Sequence, residues 1–269
     1  MIGHAERYAL VTGASSGIGY ELAKLFAEDG KNLVVVARNK AKLEQVKQEI
    51  EQRYRTRVKV LPKDLSDSKA PLEIFSELEN EGINVDVLVN NAGFGAFGRF
   101  SETDPEKELG MIQVYVASPT HLIKLFLKRM LENRSGWILN VSSGMAFLPV
   151  PLFAVYAASK SYVLHFSEAL ANELRGTGVT VTCLCPGRTA TSFDESASIE
   201  NTKFANWKMM EPAMVAKAGY RALKRGRPVV VPGLRNQSLV WLVRILPRGL
   251  ITKMMGLITE DALKTAPSK

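Results

Sequence analysis

At 269 residues, with 46% apolar and 23% charged side chains, the chain has room for one large α/β domain or two small ones and for a core on both faces of a sheet. Its formal charge of +8 gathers between Asn201 and Arg235, where Lys203, Lys208, Lys217, Arg221, Lys224, Arg225, Arg227 and Arg235 oppose only Glu211. That stretch lacks aromatics at helical spacing, which argues against nucleic acid and leaves a solvated helix face, an anionic cofactor, an acyl-carrier or CoA substrate, or a membrane surface.

In chain order, β-branched runs predict strands at Tyr8–Thr12, Leu33–Ala37, Arg57–Leu61, Val85–Asn90, Gly136–Val141, Thr180–Cys185 and Pro228–Val231. Between them, helical spacing predicts helices at Ile18–Glu28, Ala41–Arg53, Pro71–Glu79, Pro105–Glu132, Ala154–Leu174 and Pro212–Arg225. The alternation describes a doubly wound, mostly seven-stranded parallel sheet with helices on both faces. Right-handed crossovers then place all the strand C-termini on one edge, where ligands bind in such sheets. The turn Thr12–Gly19, Asn90-Asn91-Ala92-Gly93, Ser142-Ser143 and Pro186-Gly187 each follow a strand, so they converge there. No linker or repeat divides the chain, so residues 1–269 read as a single dinucleotide-binding and catalytic domain with a C-terminal extension from about 233.

Two segments of the chain need each other. Thr12-Gly13-Ala14-Ser15-Ser16-Gly17-Ile18-Gly19 sits between a strand and a helix, the setting of a dinucleotide fingerprint. Gly13 allows the tight turn, and Gly17 and Gly19 let backbone approach a pyrophosphate at the helix N-terminus. Tyr156 and Lys160 stand four apart on one helix face, where an ammonium can lower a phenol's pKa, and Ser143 lies upstream. Together they describe the transfer of a hydride and a proton to or from a carbonyl.

With TGASSGIG at Thr12–Gly19, NNAG at Asn90–Gly93, Ser143, YAASK at Tyr156–Lys160 and PGRTAT at Pro186–Thr191, the chain resembles the short-chain dehydrogenase/reductase family from about Tyr8 to Pro232. The resemblance implies a Rossmann-like fold and an oxidoreductase interconverting a ketone or aldehyde and an alcohol. Tyr156 would be the general acid, Lys160 would serve phenol and ribose, and Ser143 would hold the substrate oxygen. Around the cofactor it implies Gly13, Ser15, Ser16, Gly17, Ile18 and Gly19 at the pyrophosphate, with Asp64 and Leu65 at the adenine. Asn91, Ala92 and Gly93 would lie under the ribose, and Pro186, Gly187, Thr189 and Thr191 at the carboxamide. Arg188 is unusual in its turn and reads as meeting a phosphate, an acidic substrate or solvent.

NADP(H) is expected because the second strand ends at Ala37-Arg38, with no carboxylate for a ribose 2′-OH and a guanidinium suited to a 2′-phosphate. One position departs from the family. Tyr115 stands where an asparagine and a local kink usually hold a proton-relay water, and Gln113 faces away from it. Either the Tyr115 hydroxyl takes over the relay or catalysis is impaired, which leaves a dinucleotide-binding sensor or scaffold as one rival reading, beside a membrane-peripheral reductase of acyl or lipid substrates.

The polar stretch 192–206, with Phe193, Phe204 and nearby Trp207, falls where the family carries a mobile substrate lid. Beyond it, Ser238–Leu246 and Leu250–Ile258 are apolar with scattered bases. A packed helix or subunit interface is preferred there to a membrane-surface segment, because Pro247 and Gly249 interrupt the pattern. The family resemblance implies a homodimer or homotetramer built on the helices at 105–132 and 154–174, with Leu122, Leu125, Phe126 and Phe166 as supporting positions. The apolar start reads as a strand rather than a signal peptide, and Cys183 and Cys185 as structural thiols, so a cytoplasmic location is expected. No metal is expected, since His4, His121 and His165 show no ligand spacing.

Overall fold

The computed structural model describes residues 7–199 and 208–263, so His4, Lys203, Phe204 and Trp207 lie outside the described residues. Its centre is a seven-stranded parallel sheet of order β3-β2-β1-β4-β5-β6-β7. The strands are β1 (Arg7–Thr12), β2 (Asn32–Ala37), β3 (Val58–Pro62), β4 (Asn84–Asn90), β5 (Gly136–Val141), β6 (Val179–Leu184) and β7 (Val229–Val230). Ala9, Leu10 and Val11 of β1 are inaccessible to solvent, as befits a central strand covered on both faces. Strand order reverses between β1 and β4, and their C-terminal ends open the crevice that holds the site.

On one face pack α1 (Gly17–Glu28), α2 (Lys40–Tyr54) and α8 (Pro212–Lys224), around Leu22, Phe26, Leu43 and Leu223. On the other lie α3 (Ala70–Asn80), α4 (Pro105–Ile112), α5 (Ser118–Glu132) and α6 (Ala154–Glu173), with Ile74, Leu122, Phe126 and Leu170 in that core. Leu122 and Phe126 are thus spent inside the chain and give no support to a subunit interface.

The helix expected over 105–132 is not continuous. Asp104 caps α4, accepting a 3.0 Å bond from the Glu106 amide, and a π-helical turn over Gln113–Ala117 separates α4 from α5. Pro119 has no N–H to return to the preceding turn, and Ser118 N reaches back five residues to Gln113 O. The widened turn pushes Tyr115 toward the crevice. Past the sheet, α7 (Phe193–Ala197) crosses the mouth, and α9 (Leu234–Ile245) and α10 (Arg248–Leu263) follow in succession, separated by a break at Leu246-Pro247.

Candidate active site

The glycine turn is locked from both sides. Gly13 N donates to Val36 O at 2.7 Å, and Gly13 and Gly17 have φ of +66° and +58°, a region that favours glycine. A Cβ on Gly13 would stand 2.8 Å from Ala92 Cα, and one on Gly19 would run into the Gly13 carbonyl. Thr12, a member of the motif without an assigned role, ties the turn to β4. Its hydroxyl donates to Val89 O and accepts from Asn91 N at 2.9 Å and Ala92 N at 3.1 Å. The Asn91 amide donates to Thr12 O at 3.0 Å, while Asn90 and Asn140 join β4 to β5 at 2.8 Å. At the start of α1, Ser16 makes no side-chain cap, which leaves the first amides for an anion.

A cleft of about 1130 Å³ runs from this turn to the far side of β5. Every expected site residue lines it except Gly19, which packs behind the turn. At one end stand Arg38, Asn39, Lys42, Lys63, Asp64 and Leu65. Asp64 accepts from Ser66 N and Oγ at 2.9 and 2.8 Å, which aims its carboxylate along the cleft wall, and Lys63 pairs with Glu73 at 2.7 Å. Among the described residues no carboxylate pairs with Arg38 or Lys42. This close-backbone cradle with two free cations and no acid on Ala37 fits a phosphorylated dinucleotide. Lys42 is a residue the sequence reading missed; it lies one helical turn from Arg38 on the same strand-to-helix turn.

At the other end Tyr156, Lys160 and Ser143 meet. Ser143 follows β5, accepts from Met145 N at 3.1 Å and stands beside the Tyr156 phenol in the cleft wall. Its neighbour Ser142 turns the other way and donates to Lys160 O at 2.7 Å. Burial pushes the Tyr156 phenol up to about 12, against the smaller downward pull of Ser143. Burial likewise pulls Lys160 down to about 7, opposed by the Cys183 and Cys185 thiols. The expectation that Lys160 lowers the phenol is not met. Its ammonium donates to Val141 O at 2.9 Å and sits 3.8 Å from the Tyr115 ring centroid. Both partners favour a cation, and the same ammonium lies 5.8 Å from the Tyr156 ring centroid.

Tyr115 is buried, with its ring edge-on to Tyr156 at 5.7 Å. Its hydroxyl donates to Phe94 O at 2.6 Å, so the ring rather than the hydroxyl meets Lys160. The kink survives, but the tyrosine lies so close to Gly93 that any Cβ there would collide with it.

Arg188 lines the cleft and pairs there with Asp194 of α7. Gly95 N and Lys107 Nζ fasten the same short helix at Ser196, at 3.2 and 2.7 Å. Phe193 of α7 lies 5.0 Å from the Tyr156 ring. Much of the remaining wall is apolar, with Phe94, Met145, Leu148 and Phe153, then Val240 and Val243 of α9 and Met255 and Ile258 of α10, while Lys208, Arg235, Asn236 and Thr259 add polar groups. Sequence reading missed these C-terminal wall residues, although the spacing of Asn236, Val240 and Val243 was a signal. Cys183 and Cys185 are free and buried, with Sγ atoms 3.7 Å apart. Among the described residues no group of His, Cys, Asp and Glu is placed to hold a metal.

Fold and site together define a dinucleotide-dependent oxidoreductase acting on a small molecule. The chain belongs to the short-chain dehydrogenase family, whose model matches residues 7–202. It is 32% identical to an uncharacterised oxidoreductase of Staphylococcus epidermidis, over 81% of this chain and 91% of that one. Mouse (Mus musculus) 17-beta-hydroxysteroid dehydrogenase type 3 is 34% identical over 77% of this chain, which spans 65% of that protein. The solved short-chain dehydrogenase from Sphingobium yanoikuyae in complex with NADPH superposes with a TM-score of 0.78 at 27% identity, covering 90% of this chain and 97% of that one.

Proposed function

We propose that the protein is an NADPH-dependent carbonyl reductase for bulky apolar ketones or aldehydes. The observation that carries this reading is one cleft with Tyr156 beside Ser143 and Lys160 at its apolar end and unpaired Arg38 and Lys42 at its polar end. Arg38 and Lys42 would hold a 2′-phosphate, the glycine turn the pyrophosphate, and Lys160 and Thr189 the nicotinamide half. The dinucleotide, when bound, supplies the hydride that reaches the carbonyl carbon. Tyr156 gives its proton to the carbonyl oxygen, and Ser143 steadies the charge that develops there. Phe153, Phe193, Val243 and Met255 exclude water and orient the substrate's apolar groups. A homodimer or homotetramer completes the reading, tested by light scattering.

A screen of apolar ketones against NADPH, with NADH in parallel, tests the function. Oxidation of NADPH in preference to NADH is expected. NADPH binding without turnover of any carbonyl would support the scaffold reading instead. The high phenol pKa sets the sign of the pH dependence. Reduction uses the acid form, which is abundant at every pH below about 12. Oxidation of the matching alcohol needs the phenolate, so its rate should climb steadily from pH 7 to 10 while reduction does not. An oxidation rate flat across that range would show that another group moves the proton.

A further inference from the structure

Helices α9 and α10 each turn one side to the cleft and leave the other side out of it. Helix α9 buries none of its residues. Asn236, Val240 and Val243 turn toward the cleft, and the opposite side carries Leu234, Trp241 and Ile245 at 83%, 66% and 79% exposure. On α10, Ile251 and Thr259 are buried while Leu250, Met254 and Leu257 stand in solvent at 46%, 47% and 67%. Apolar groups gathered in this way mark a contact surface.

Charge decides what the surface contacts. Residues 212–259 hold nine bases and no acid. Four of the bases, Arg235, Arg244, Arg248 and Lys253, lie in α9 and α10, with Glu260, which pairs with Arg99, and Asp261 at the far end of α10, and no ion pair among the described residues engages those four bases. Arg244 lies 5.9 Å from the Trp241 ring, so a cation and an amphipathic aromatic share the rim of the apolar face. An isologous dimer through this face would set those bases against their own copies. Exposed large apolar groups ringed by bases with a tryptophan are the composition of helices that lie in a bilayer interface. No helix among the described residues is long and apolar enough to cross a membrane, so the two helices would lie on the surface.

We infer that α9 and α10 dock the protein on an anionic lipid surface through their exposed sides, while Val240, Val243, Met255 and Ile258 of the same helices wall the cleft. Docking is independent of the catalytic reading. The test is sedimentation of the full chain with vesicles of phosphatidylcholine, with and without phosphatidylglycerol. Uptake is expected on the mixed vesicles and much less on phosphatidylcholine alone. Arg244→Gln with Arg248→Gln should lower partitioning roughly 30-fold. The triple change Trp241→Ser, Ile245→Ser and Leu257→Ser should abolish it with the melting temperature kept, since all three side chains are exposed. Failure of the parent to sediment with the mixed vesicles at low salt, or equal uptake by either variant, would overturn the inference. So would light scattering in which the triple change turns an oligomer into a monomer, which would give this face to a second copy.

Discussion

The two ends of the cleft are built by opposite means. At the cofactor end, backbone atoms meet backbone atoms: Gly13 packs against Ala92, Gly19 against Gly13 O, and Thr12 and Asn91 hydrogen-bond main chain on both strands. Each position there tolerates one residue type. At the substrate end the wall is made by side chains of two helices, one of which buries nothing fully. Many apolar residues of similar size would make that wall, because filling space is less demanding than fitting backbone to backbone. A motif marks the first end, and only periodicity marks the second.

The sharpest way to separate the ends is the proton donor at the apolar one. Tyr156→Phe removes the proton donor and nothing from the cofactor cradle. Turnover should fall by roughly 10²–10⁴-fold with the Kd for NADPH nearly unchanged. A variant that kept most of its rate would assign the acid elsewhere.

Arg38→Ala acts at the polar end alone. Losing a charge-assisted contact costs about 1.5–3 kcal/mol, so NADPH affinity should drop roughly 10- to 150-fold while NADH affinity holds. Comparable titrations of the parent with both dinucleotides come first, and equal affinities there would remove the argument.

Tyr115→Asn probes the seam between the ends. The ring now fills the space above Lys160, and an asparagine would reopen it to water while keeping a donor and an acceptor. We expect kcat to rise about tenfold with little change in NADPH affinity, since a relay that feeds the acid accounts for part of an acid–base step. An unchanged or lower kcat would make Tyr115 a working substitute that holds Lys160 by its ring face.

The smallest effect belongs to the apolar wall. Val243→Ala trims a half-buried side chain, so KM for a bulky ketone should rise about threefold. NADPH affinity and the rate on a small ketone should stay the same. A change in NADPH binding would mean that α9 positions the Pro186–Thr191 loop through Asn236 and Gly187 as well as walling the cleft.

The order of strands and helices, the glycine turn and the convergence of Ser143, Tyr156 and Lys160 were legible in the chain because they rest on local rules. Period, turn chemistry and i,i+4 spacing act within a few residues, and parallel crossovers have one hand. Even the missing carboxylate at Ala37 could be read without a structure. Where a side chain's partner lies far along the chain, those rules stop. Leu122 and Phe126 looked fit for a subunit interface but are consumed by a core that includes Ile74 and Leu170. Arg188 looked free for a ligand and found Asp194. The lysine expected to lower the Tyr156 phenol is held instead by Val141 O and the face of Tyr115, and burial alone sends the two titrations in opposite directions. Desolvation and ion pairing depend on what surrounds a group in three dimensions, so the sequence determined which groups are present at the site, and only the packing of the folded chain decided their charge and their partners.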